Sequence, residues 1–134
     1  MPRGRPEKQT PSERELEIMG VLWDRGSGTV AEVRERFNEQ NETDLAYTTV
    51  LALLQRLKEK EWVTTKNEGR AHRYFPAVTR DSVKGDEVSW LTGILFEGNR
   101  ELMLTELVSD RKLTKATLER LRALLDARLK ERGA

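Results

Sequence analysis

Between Ala46 and Lys60, the apolar residues Val50, Leu53, Leu54 and Leu57 recur at i, i+3, i+4 and i+7. That spacing gathers them into one stripe of an α-helix, and the stripe must lean on other elements to leave water. The other side of this helix is unusual. At 100° per residue, Thr48, Ala52 and Gln55 project away from the stripe, with Thr49 and Arg56 on one flank and Leu51 on the other. A face that merely meets water normally carries Glu and Lys. This one is uncharged at its centre and rimmed by basic residues. Threonine and glutamine can hydrogen-bond base edges, and Ala52 and Leu51 can pack on thymine methyl groups. The competing reading is a helical domain whose third helix is simply weakly polar outside.

The neighbouring segments place this helix third in a series. Ser12-Glu13-Arg14-Glu15 reads as a capping box, with the Ser12 hydroxyl accepting from the Glu15 amide and the Glu15 carboxylate reaching back. Leu16, Met19, Leu22 and Trp23 follow on one face, and Gly26 and Gly28 stop the helix. Thr29-Val30-Ala31-Glu32 is a second capping box, opening a helix of about ten residues with Val30, Val33 and Phe37 inward. Residues 38–42 read as a polar connection. After the third helix, Trp62 to Lys66 and Ala71 to Phe75 have strand character around a turn at Asn67-Glu68-Gly69, and Pro76 ends the pair. Trp23 and Trp62 are expected in the core.

Three helices and a two-stranded hairpin within about 65 residues is the order of a winged helix-turn-helix, whose third helix enters the major groove while the hairpin touches the backbone. The expected fold class is mainly α with a small β-wing, an N-terminal winged helix-turn-helix followed by a three-helix dimerisation region. Charge supports the division. The net charge is only +1, but residues 12–44 hold four basic against nine acidic residues, and residues 46–78 hold six basic against three acidic. Arg56 and Lys58 are placed for phosphates, and Lys66, Arg70 and Arg73 bring positive charge to the hairpin. Small helix-turn-helix units also occur in protein-interaction domains, so a module that never meets DNA is the alternative.

Leu22-Trp23, then Ala46-Tyr47-Thr48-Thr49-Val50 followed by Leu54-Gln55-Arg56-Leu57, then Arg70-Ala71-His72-Arg73-Tyr74-Phe75-Pro76 strongly resemble the penicillinase-repressor (BlaI/MecI) family. The match is dense over 12–76 and looser, by helix order, over 80–130. The resemblance implies a homodimeric winged-helix repressor with Tyr47, Thr48, Thr49, Ala52 and Arg56 on the DNA-facing helix. Two departures stand out. The copper-responsive branch of the family carries a cysteine cluster near its C-terminus, and this chain has no cysteine. Copper sensing by that route is therefore rejected. The antibiotic-responsive branch is inactivated by cleavage at an Asn-Phe bond in the dimerisation region, and no Asn-Phe pair occurs here. The inducing signal is therefore open. A sensor protease is a candidate partner.

Residues 1–11 read as a flexible basic arm, residues 12–78 as the DNA-binding domain and residues 79–134 as the dimerisation domain. Pro2-Arg3-Gly4-Arg5-Pro6 equals the core of an AT-hook, in which glycine settles on the floor of a narrow minor groove and Arg3 and Arg5 extend along it. The bland alternative is a solubilising basic leader. The helices after residue 79 supply about 55 residues, too few to bury a good core alone. Trp90, Leu91, Ile94, Leu102, Leu107, Leu118, Leu121 and Leu125 are expected to interlock with those of a second chain. Thr114 is the expected N-cap of the last helix. His72 is read as packing on the third helix through its ring, with a phosphate contact or a pH-sensitive role as the alternatives.

The remaining expectations are negative. No GxGxxG, P-loop or HExxH motif is present and there is one histidine, so no enzyme activity, cofactor or metal is expected. A small hydrolase with an unusual site is the rival, and it lacks a nucleophile–base pair. No signal-peptide pattern or run of eighteen apolar residues occurs, and the absence of cysteine fits a reducing cytoplasm.

Overall fold

A computed structural model describes residues 11–133. The elements are α1 (Glu13–Arg25), β1 (Gly28–Thr29), α2 (Val30–Asn41), α3 (Tyr47–Glu59), β2 (Val63–Glu68), β3 (Ala71–Pro76), α4 (Arg80–Leu95), α5 (Arg100–Val108) and α6 (Lys115–Gly133). The described residues fall into two compact units that meet in the sequence within α4, one ending at Trp90 and the other starting at Leu91.

In the first unit the stripes predicted for α2 and α3 meet α1, whose buried face is displaced from the predicted one: Ile18 is enclosed, and Leu16 and Trp23 are half-buried. Ile18, Met19 and Leu22 of α1, Val33 and Phe37 of α2, and Val50, Leu54 and Leu57 of α3 are all fully buried. Val63 and Tyr74 of the hairpin close the core on its open side. The caps form as the side chains dictate. Ser12 accepts from the Glu15 amide, and Thr29 and Glu32 form a complete reciprocal capping box. The other half of the first expected box is different. The Glu15 carboxylate lies 2.6 Å from Lys60 Nζ at the end of α3, and Glu15 is buried. A carboxylate carried into the core margin gains more from a full opposite charge than from one backbone amide.

The hairpin also differs in detail from the reading of the sequence. It is part of a three-stranded sheet in the order β1-β3-β2, because Gly28 pairs with Tyr74 and Thr29 with Arg73. Thr29 is extended because an N-cap must be (φ −77°, ψ 167°), so it can serve the sheet and the helix at once. Asn67 and Glu68 belong to β2. The loop contracts to Gly69 and Arg70, with Gly69 in the left-handed region (φ +61°) that a two-residue hairpin demands. The expected polar connection at 38–42 is mostly helix, since α2 runs on to Asn41, and Glu42 caps it in the left-handed region. Trp23 and Trp62 line the rim of the core, half-buried rather than enclosed. The Trp23 indole N–H donates to the Val78 carbonyl at 2.9 Å, so its polar edge sits where a backbone oxygen is available.

The second unit has its own caps. Asn99 accepts from the Leu102 amide and Thr114 from the Thr117 amide. Among the described residues of this unit Thr92 alone is buried, and its hydroxyl donates to Met103 Sδ. Leu102 is 53% exposed, Leu107 57% and Leu125 58%. No helix among the described residues is long and apolar enough to cross a membrane.

Candidate nucleic-acid interface

The α2–α3 turn sets the pitch of α3. Asn38 holds it from both sides: its Oδ1 accepts from the Leu45 amide and the Thr43 hydroxyl, each at 2.9 Å, and its Nδ2 donates to the Leu45 carbonyl. Arg34 Nε donates to the same carbonyl at 2.8 Å. Helix α3 therefore leaves a braced corner. Its N-cap is Ala46, without a side-chain acceptor, and its first turn contains no acidic residue. Both α1 and α2 carry a hydroxyl cap and first-turn glutamates. An uncapped, acid-free helix start is compatible with an approaching anion.

Burial along α3 separates its two faces. Val50, Leu53, Leu54 and Leu57 are buried, whereas Tyr47, Thr48, Thr49, Gln55 and Arg56 are exposed and Ala52 is half-exposed. The outward groups stand in solvent and none of them supports the core. Lys58 is exposed near the helix end.

On the hairpin, the cross-strand pairs Thr65–Tyr74 and Val63–Pro76 face the core, as the burial of Tyr74 and Val63 shows. The pleat puts Lys66, Glu68 and Arg73 on the other face. Lys66 is exposed, with its ammonium 5.5 Å from the centre of the Phe75 ring. Arg70 is exposed in the loop. His72 is exposed too, so its ring is not enclosed against α3. It pairs with Asn67 near the loop. Burial pushes the Tyr74 hydroxyl above its ordinary pKa, and nearby Tyr47 adds to the effect.

Arg73 is placed unlike the other hairpin cations. Its guanidinium bonds Glu68 through Nε, lies 2.9 Å from Glu32 Oε1 through Nη1, and donates from Nη1 to the Ser27 hydroxyl at 3.2 Å. Arg25 Nη2 is 3.4 Å from the same Glu32 oxygen. The Thr29 amide first, then Arg73, holds the Glu32 carboxyl below the usual carboxylate range. Arg73 is shifted upward by Glu68 first and then Glu32. The sequence by itself does not mark Glu32, Glu68 or Asn38 as site residues. Glu32 had a local explanation as a helix cap, and nothing in the spacing links it to residue 73.

Arg3 and Arg5 lie outside the described residues. Among the described residues, no group of three or more His, Asp or Glu side chains is placed to share a metal ion. The apolar residues expected at an interface are mostly exposed. Leu91 is 36% exposed, Ile94 40% and Leu118 41%, while Trp90 and Leu121 are half-buried.

The braced α2–α3 corner, the exposed polar face of α3 and the adjoining hairpin define a protein of the winged helix-turn-helix class. The model of the penicillinase repressor family matches residues 11–127. The transcriptional regulator BlaI of Mycobacterium tuberculosis is 40% identical over 96 residues, 70% of this chain and 68% of that protein. The chain belongs to the penicillinase-repressor family. Among solved structures, the solution structure of the DNA binding domain of the repressor BlaI matches at 26% identity and a TM-score of 0.49, over 57% of this chain and 90% of that one. The complex structure of hsRosR-S1 matches at 14% identity and a TM-score of 0.55, over 94% of this chain and 98% of that one, a likeness of fold alone.

Proposed function

We propose that two copies of this chain bind a palindromic or near-palindromic operator in a promoter and repress transcription by occupying it. Each α3 lies in a major groove, the two about 34–36 Å apart, and each hairpin rests on the backbone. The carrying observation is the face of α3 itself: Thr48 and Gln55 are solvent-exposed opposite a buried stripe, and Thr49 and Arg56 are exposed on the flank beside them. In this reading Thr48, Thr49 and Gln55 meet base edges, Ala52 meets a thymine methyl, and Tyr47, Arg56, Lys66 and Arg70 meet phosphates. Dimerisation through α4–α6 joins the two readers, and the cytoplasm is the place of work.

The reading is tested by selecting duplexes from a random-sequence pool and measuring affinity by fluorescence anisotropy at several salt concentrations. Thr49→Ala is expected to cost about 1–3 kcal/mol and to relax base preference at one position of each half-site. Arg56→Ala is expected to weaken binding to every duplex and to lower the salt slope by about 1 per half-site. Retention of no duplex by the purified protein would mean a protein-interaction module instead.

The N-terminal arm is proposed as a minor-groove contact. Deleting residues 2–6 removes Arg3 and Arg5. The slope of log affinity against log salt is then expected to fall by about 0.9 per lost phosphate contact, about 1.8 for each arm. An unchanged slope would assign the arm no role in binding.

A further inference from the structure

Three cations were expected on the hairpin, and the structure treats one of them differently. Lys66 and Arg70 are exposed. The Arg73 side chain is only 22% exposed, and all three of its guanidinium nitrogens are engaged: Nε by Glu68, Nη1 by Glu32 and Ser27, Nη2 by Glu32. These partners lie on three separate pieces of chain. Ser27 precedes β1, Glu32 is in the first turn of α2, and Glu68 ends β2. The backbone connection between the hairpin and the helix-turn-helix on this side is β1, a strand of two residues. So short a ladder does little to fix the angle of a hairpin. A planar fork bonded to both carboxylates adds what the ladder lacks, and its geometry suits arginine rather than lysine.

Resting on the operator-binding reading above, we propose that Arg73 is a positioning residue that latches the wing to the start of α2 through Glu32 and so aims Lys66 and Arg70 at the DNA backbone. A phosphate brought to Arg73 would have to approach two carboxylates already in place, which like-charge repulsion opposes.

The latch and a direct phosphate contact give opposite results in one experiment. The probe is a duplex selected by the parent protein from a random pool, and the full-length chain is used throughout. Binding of that duplex by the parent tests operator binding; the variants then test the latch. Arg73→Met is expected to weaken binding about tenfold. Glu32→Gln keeps the capping box, since glutamine at that position also accepts from the Thr29 amide, but removes the charge that holds Arg73. It is expected to weaken binding about fivefold, and the double variant to bind no more weakly than Arg73→Met alone, because both changes open one latch. Arg73→Lys keeps the charge and loses the fork, and is expected to fall near Arg73→Met. Hydroxyl-radical footprints of all four variants should lose protection at the wing phosphates and keep it in the major groove. A global loss of folding would remove both, and thermal melting checks for it.

If Arg73 instead bonded a phosphate, Glu32→Gln would leave affinity unchanged or raise it, since a nearby negative charge is gone. Arg73→Lys would then bind almost as the parent does. Either result overturns the latch, as does additive weakening in the double variant.

Discussion

A chain carrying Leu118→Glu and Leu125→Glu is expected to sediment as a monomer and to hold its operator at least about a hundredfold less tightly than the parent. Both leucines lie on α6 and are 41% and 58% exposed. From Leu91 on, the described residues enclose no large apolar side chain, although α5 and α6 are rich in leucine. So many exposed leucines in one unit are rare on a protein that works alone. Covering them with the same surface of a second copy contributes about 1.5–3 kcal/mol for each leucine fully withdrawn from water. Two glutamates per chain forfeit that gain and add the cost of burying charge. The loss of affinity then follows from geometry. A second half-site contact made within one dimer benefits from effective concentration, and two separate monomers lose that benefit. Analytical ultracentrifugation at micromolar concentration is the deciding measurement. A dimer that persists in the double variant would place the interface elsewhere.

Phe37→Ala is expected to cost about 3–5 kcal/mol of stability, enough to lower the melting temperature by on the order of 15 °C. The ring is fully buried among residues of all three helices, and the Arg14 guanidinium stands 5.4 Å from its centre. A domain of this size has only about 4–12 kcal/mol of stability in total, so the loss is a large fraction of it. Thermal unfolding followed by circular dichroism measures it directly. A shift below about 5 °C would mean that the site collapses around the alanine and that the core is less tightly packed than its burial implies. The two predictions separate cleanly. The leucine pair is expected to affect assembly and leave the first unit folded, whereas Phe37→Ala is expected to affect the fold of that unit.

How much of this could be read from residues alone varies with distance along the chain. The caps at Ser12, Thr29 and Thr114, the stripe of α3 and the left-handed glycines at 26 and 69 were all legible, because each is satisfied by partners a few residues away. The exposed polar face of α3 was legible for a related reason, since helical periodicity forces it opposite the buried stripe. Other features were not. The first glutamate expected in a cap pairs with Lys60, forty-five residues away. The expected packing of His72 on α3 is not matched by burial, since the residue stands exposed near the hairpin loop.

Arg73 is the clearest division. The sequence alone determined that a basic residue stands on the returning strand of a wing, and that the strand follows a helix built to meet something polar. Only the tertiary structure decided that this cation turns back to Glu32, forty-one residues earlier, instead of outward with Lys66 and Arg70. The reason is physical. Periodicity and capping are settled within one or two turns of chain, whereas the partner of a long charged side chain depends on which distant carboxylates the fold brings within about 3 Å.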